Sequence, residues 1–103
     1  MVSRDYAVKT VKAFIEACAQ SKIFFNKVMI FGSVASGTNN KNSDIDVAFV
    51  SDQFKGYPLA DWHLLSPINV RFPEIEPHPY STEYFNTGDP LIEEIIKTGF
   101  EVI

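Results

Sequence analysis

Asp44 and Asp46 stand two residues apart in the run Asp44-Ile45-Asp46-Val47-Ala48-Phe49-Val50. In an extended chain that spacing puts both carboxylates on one face, with Cα atoms about 6.6 Å apart at ~3.3 Å per residue. Two carboxylates converging in this way can hold a pair of divalent cations, which sit ~3.5–4 Å apart in two-metal sites. A solvated strand face would stay polar along its length, yet this one continues as Ala48 and Val50. Without counter-ions the two carboxylates repel, and one holds its proton more tightly. Upstream, Gly32-Ser33 closes the apolar run Lys27-Val28-Met29-Ile30-Phe31. A glycine there lets a phosphate approach the backbone, and the N–H groups of residues 33 to 35 and the Ser33 hydroxyl can donate to an anion. By itself a Gly-Ser pair is most often only a turn. Downstream, Glu74 and Glu76 are the candidates for a third carboxylate, and Glu76 lies between Ile75 and Pro77 in an apolar–acid–apolar pattern. Taken alone, each glutamate reads as a surface charge.

These groups need elements to position them. Residues from about Ser3 to Gln20 predict a helix, with Ser3 as N-cap, Asp5 in the first turn, and Val8, Val11, Ile15 and Cys18 on one face. Lys27 to Phe31 predicts a buried strand and Asp44 to Val50 a second one. Residues 33 to 43 (SVASGTNNKNS) read as a loop holding one helical turn. The eleven-residue step from Ser33 to Asp44 allows the second strand to return antiparallel to the first. The Gly-Ser turn and the Asp pair then share one sheet edge. Leu59 to Leu65 suggests a short helix. Ile68 to Phe72 and Glu74 to His78 form an extended region broken by Pro73, Pro77 and Pro79, which points to an edge strand or a bulged one. Asp89-Pro90 starts a helix with Leu91, Ile92, Ile95 and Ile96 on one face, Gly99 stops it, and Phe100 to Ile103 forms a last strand.

The 103 residues, 46% apolar and 21% charged, suit a single globular domain spanning 1–103 and exclude disorder. A net charge of −4 argues against direct nucleic-acid binding, which needs a basic surface. No apolar run approaches the roughly 18 residues of a membrane span. The Met1-Val2-Ser3-Arg4-Asp5 start is unlike a signal peptide, so a cytoplasmic location is expected. The single cysteine, Cys18, excludes an internal disulfide and a thiolate metal cluster, and its helical spacing suggests a small core residue. Trp62 and the nine phenylalanines read as core or partner surface.

Together, Gly32-Ser33, Gly37 and Ser43-Asp44-Ile45-Asp46-Val47 resemble the signature of the nucleotidyltransferase superfamily that includes DNA polymerase β. Ile75-Glu76-Pro77-His78-Pro79 is similar to the third acidic strand of its small prokaryotic members, the minimal nucleotidyltransferases. The resemblance runs from the leading helix to Lys97-Thr98-Gly99. It implies an α/β (α+β) fold, a mixed sheet of about four strands packed against helices. It also implies transfer of a nucleoside monophosphate, AMP from ATP by default, to an acceptor hydroxyl. In that reading Asp44 and Asp46 hold Mg²⁺, two ions in all, and Glu76 completes the second metal site and accepts the hydroxyl proton. Gly32 and Ser33 hold the terminal phosphates, and Lys41 reaches in from the loop. Two positions that are often basic in relatives are Val34 and Ser36 here, and Arg71 is a further candidate for triphosphate or acceptor contact. As a solvated surface residue Arg71 needs no role. His78 reads either as a neighbour of the site or as a turn residue between prolines.

Small members of this family are often antitoxins paired with an all-helical HEPN-family toxin. The resemblance therefore implies a protein adenylyltransferase acting on such a partner, or an antitoxin that sequesters the partner by binding. An antibiotic adenylyltransferase needs an extra helical domain to hold the drug, for which 103 residues leave no room. Exposed sheet edges are compatible with a homodimer.

Overall fold

The Ser3 hydroxyl accepts the Tyr6 N–H at 3.1 Å and starts helix α1 (Arg4–Gln20) in the computed structural model, which describes residues 2–38 and 44–103. The buried stripe of α1 is Ala7, Val11, Phe14, Ala17 and Cys18. Val8 and Ile15, expected on that stripe, flank it and are only partly buried. Strand β1 (Lys27–Phe31) runs into the short helix α2 (Gly32–Ser36). Strand β2 (Ile45–Ser51) returns antiparallel to β1 and sets Phe31 opposite Asp46.

After β2 the buried Asp61 carboxylate accepts the N–H groups of Lys55 at 2.8 Å and Gly56 at 2.9 Å. This ties the connecting loop to helix α3 (Pro58–Asn69). The helix is longer than its sequence suggests and takes in Ile68, expected in an extended segment. Pro67 lies inside it and lacks an N–H for the His63 carbonyl four residues back. The Ser66 hydroxyl supplies that bond instead, at 3.4 Å. The Asn69 side-chain amide then donates to the carbonyls of Phe72 at 3.2 Å and Ile75 at 3.0 Å, holding the turn into strand β3 (Ile75–Ser81). Such a crossover permits the parallel pairing of β3 with β2, which sets Glu76 opposite Asp46.

A one-turn helix the sequence reading did not anticipate, α4 (Thr82–Phe85), follows, capped by the Ser81 hydroxyl on the Tyr84 N–H at 3.2 Å. Helix α5 (Pro90–Thr98) is capped by Asp89 on the Leu91 N–H at 2.9 Å. It buries Ile92 and Ile95, while Leu91 and Ile96 remain half exposed instead of sharing that face. At Gly99 a Cβ would lie 2.6 Å from the Ile30 carbonyl oxygen and 2.7 Å from that of Ile95, so only glycine fits. Strand β4 (Phe100–Glu101) pairs antiparallel with β1, and hydrogen bonds between Val28 and both Val102 and Ile103 prolong the pairing.

The sheet order is β3-β2-β1-β4. Side-chain alternation sends Val28, Ile30, Ile45, Val47 and Phe49 to one face, against α1 and α3. Met29, Ala48 and Val50 face the other way, against Phe85, Ile92 and Ile95. The proline-rich β3 is an edge strand, as expected, which tolerates the missing N–H groups of Pro77 and Pro79. Among the described residues, no helix is long and apolar enough to cross a membrane.

Candidate active site

On the face shared with α4 and α5, the apolar side chains stop at one end of the sheet. There Asp46 of β2 meets Glu76 and His78 of β3 through the parallel register. His78 Nε2 lies 3.3 Å from Asp46 Oδ1. One donor atom from each of the three residues lies within 4.8 Å of the other two. Exposed Glu76 is held above the usual carboxylate range, first by hydrogen bonding to the facing Asp46 carboxyl, then by slight desolvation and by the Asp46 charge. Asp44 adds to this repulsion and His78 opposes it. Two carboxylates set opposite each other in neighbouring strands repel, and a cation between them would relieve that repulsion.

Gly32 completes the corner from β1. Its φ of +72° lies in the left-handed region, and a Cβ there would collide with Asp46 Oδ2 and sit 3.2 Å from its Cγ. Glycine is thus required twice, by backbone conformation and by the carboxylate packed against it. Helix α2 is fixed from behind by Arg4, whose guanidinium donates to the Ala35 carbonyl at 2.7 Å while stacking over Phe100, 4.4 Å from the ring centre. Gly37, at φ +77°, ends the helix with its N–H on the Ser33 carbonyl.

The structure therefore gathers Gly32, Ser33, Asp46 and Glu76 where β1, α2, β2 and β3 meet, with the exposed Asp44 just before β2. Lys41 lies outside the described residues. Val34 is buried in the main core, so the position often basic in relatives is an apolar packing residue here. Arg71 is exposed beside Phe72, and Phe72 packs edge-on against Phe14 of α1 on the opposite side of the sheet. Glu74 is not part of the cluster; it accepts a hydrogen bond from the Tyr6 hydroxyl and links α1 to the turn before β3.

His78 is the residue the sequence reading undervalued. It is no turn residue: it lies within β3, its ring edge-on to Phe31 with centroids 5.0 Å apart. The available signal was the alternation Glu76, His78, Tyr80, which puts all three on one strand face. Beside them, along the outer edge of β3, runs a groove of ≈ 790 Å³ lined by Leu59, Trp62, Pro77, His78, Tyr80 and Tyr84 among others.

Known proteins share the family and the fold. The nucleotidyltransferase domain family matches residues 11–98. The fold is similar to the crystal structure of a candidate nucleotidyltransferase from Sulfolobus solfataricus, with TM-score 0.67 and 23% identity over 91% of this chain and 77% of that one. It is similar to a chain of a toxin–antitoxin structure with AMP-PNP, with TM-score 0.61 and 18% identity over 89% and 72% of the two chains. A third likeness is to a chain of the Shewanella oneidensis tri-AMPylated HEPN toxin in complex with MNT antitoxin, with TM-score 0.58 and 12% identity over 96% and 71%. At these identities the likeness is one of fold. No curated protein sequence matches the chain. A matched span of 88 of the 103 residues, with the glycine turn and the acidic strands inside it, places the chain in the nucleotidyltransferase domain family.

Proposed function

We propose that this chain transfers a nucleoside monophosphate, AMP from ATP, to a hydroxyl group of a partner protein. The observation that carries the reading is the Gly32 turn packed on the Asp46 carboxylate directly across from Glu76. A phosphate-approachable backbone and a converging acidic pair then meet at one corner of the sheet. Asp44, Asp46 and Glu76 are the residues that would hold Mg²⁺, two ions in the full assembly. The all-oxygen chemistry of the carboxylates and the mutual repulsion at Glu76 suit that hard cation. When bound, Mg²⁺ supplies charge neutralisation on the phosphates and lowers the pKa of the attacking hydroxyl.

The chain's own groups do the rest. The Ser33 hydroxyl and the backbone after Gly32 hold the terminal phosphates, joined by Lys41. Glu76 would accept the proton of the acceptor hydroxyl. The hydroxyl oxygen bonds to the α-phosphorus, the bond to the β-phosphate bridge breaks, and pyrophosphate leaves. Positioning and charge compensation supply most of the rate, as in phosphoryl transfer generally. The structural neighbours support a HEPN-family toxin as the partner, since two of them are toxin–antitoxin complexes, one with AMP-PNP and one AMPylated.

A second reading, in which the chain neutralises the partner by binding alone, is favoured by the apolar groove beside β3. Leu59 in its wall is 70% exposed and Tyr57 nearby 69%, apolar surface that a bound partner would cover. Incubation with ATP, Mg²⁺ and the protein encoded next to this one separates the two. Addition of one AMP mass to that protein, lost on omitting Mg²⁺, is the expected outcome. A stable complex with no added mass would leave only binding.

A further inference from the structure

His78 makes the donor set of the cluster mixed. Around one cation, with ligand distances of roughly 2.0–2.2 Å, neighbouring donor atoms sit about 3 Å apart. His78 Nε2 and Asp46 Oδ1 are 3.3 Å apart. The pair makes a long hydrogen bond, and its separation is also close to the spacing of two ligands on one ion. Glu76 brings a third donor atom inside the same 4.8 Å limit. The imidazole is also held in place. Phe31 meets it edge-on, β3 fixes its backbone opposite Ala48, and its side chain is 33% exposed. The absence of a side chain at Gly32 lets the Asp46 carboxylate pack closely against the end of β1.

We propose that His78 is a direct ligand, through Nε2, of the divalent cation held by Asp46 and Glu76, and that its imidazole shifts the site from Mg²⁺ toward first-row transition ions such as Mn²⁺. Mg²⁺ is a small, hard ion that takes oxygen ligands and gives up water reluctantly. Imidazole nitrogen suits first-row transition ions better than it suits Mg²⁺, with affinity rising from Mn²⁺, the hardest and weakest-binding of them, to Cu²⁺. One nitrogen replacing one oxygen therefore costs Mg²⁺ more than it costs Mn²⁺. The inference rests on the proposed cation site but not on nucleotidyl transfer.

The test is electron paramagnetic resonance of Mn²⁺ titrated into the nucleotide-free protein, because nucleotide brings nitrogens of its own. The expected result is a bound Mn²⁺ whose pulsed spectrum shows a directly coordinated ¹⁴N, replaced by the ¹⁵N pattern when the two histidines are ¹⁵N-labelled. Mg²⁺ should displace it only at concentrations at least tenfold higher than Mn²⁺ itself requires, about the scale of one lost ligand interaction. His78→Gln should remove the nitrogen coupling and weaken Mn²⁺ by about tenfold or more, with Mg²⁺ affinity changed less than about twofold. Mn²⁺ bound through oxygen alone, Mg²⁺ binding as tightly as Mn²⁺, or no Mn²⁺ binding would overturn the inference. The wild-type spectrum decides this even if the variant folds poorly. AMP transfer accompanied by oxygen-only Mn²⁺ sinks the ligand role of His78 and leaves the transferase reading intact. Nitrogen-coordinated Mn²⁺ without transfer to the neighbouring protein supports the ligand role and removes the transferase reading.

Discussion

The two faces of the sheet are built from the same strands and do opposite things. Strand β2 sends Ile45, Val47 and Phe49 under α1 and α3, where Phe14, Phe25, Phe49, Phe54 and Phe72 pack with ring centroids 4.8 to 6.2 Å apart. Its other alternate residues, Asp46, Ala48 and Val50, lie on the face of α4 and α5, whose smaller core covers only part of the sheet. Where that cover ends, Asp46, Glu76 and His78 converge. The closed face stabilises the fold through dense aromatic packing. The half-open face leaves like charges together at a cost that the closed face offsets. One strand can serve both because its period of two separates the roles residue by residue.

The largest effect should come from the closed face. Phe49→Ala removes the ring between Phe14 and Phe25 and is expected to cost about 3–5 kcal/mol in denaturant unfolding. A loss under 1 kcal/mol would mean that this face is not the main source of stability. Three residues away, Asp46→Asn should do the reverse. AMP transfer should fall by more than about a hundredfold, as for loss of a group that stabilises transition-state charge, with the melting temperature unchanged or slightly higher. Transfer near the wild-type rate would remove Asp46 from the catalytic group.

The pH dependence of the two faces should differ as well. Glu76 binds its proton more tightly in the folded than in the unfolded protein, because Asp46 hydrogen-bonds and repels it. Its contribution is therefore least unfavourable at low pH, and stability is lost as pH rises above 4.5 through the raised folded value. In chelator, Glu76→Gln is expected to raise the melting temperature slightly at neutral pH, and the gain should vanish below about pH 4.5. A gain that grows on acidification contradicts the repulsion. The smallest expected signal is silence at Cys18. It is fully buried in the closed face, and burial pushes its thiol up to about 12. Iodoacetamide at pH 8 should label it only in urea, and rapid labelling of the native protein would show that this face opens locally.

Several of these features could be read from local chemistry. Ser3 and Asp89 cap the helices they precede because a short side-chain oxygen reaches the next turn's free N–H groups. Gly32-Ser33 ends β1, and the Ser33-to-Asp44 step returns β2 antiparallel. The prolines of β3 put it at the sheet edge. Other features do not follow from residue pattern or propensity. The extent of α3 through Pro67 hangs on a Ser66–His63 hydrogen bond that replaces the missing donor. Leu91 and Ile96 match the apolar pattern of Ile92 and Ile95, yet the sheet has room for only two of the four.

The site divides along the same line. The sequence by itself determined which groups carry chemistry: a glycine turn, an acid pair two residues apart and an acid–histidine strand, each set by types and short spacings. Tertiary structure alone decided that His78 joins them and that Glu74 does not. The parallel register of β2 and β3 puts Glu76 opposite Asp46 and brings His78 to the same carboxylate, while Glu74, two residues from Glu76, bonds to Tyr6 instead. The physical reason is that register is fixed by packing along the whole sheet, and a shift of one residue would turn every side chain of β3 to the opposite face.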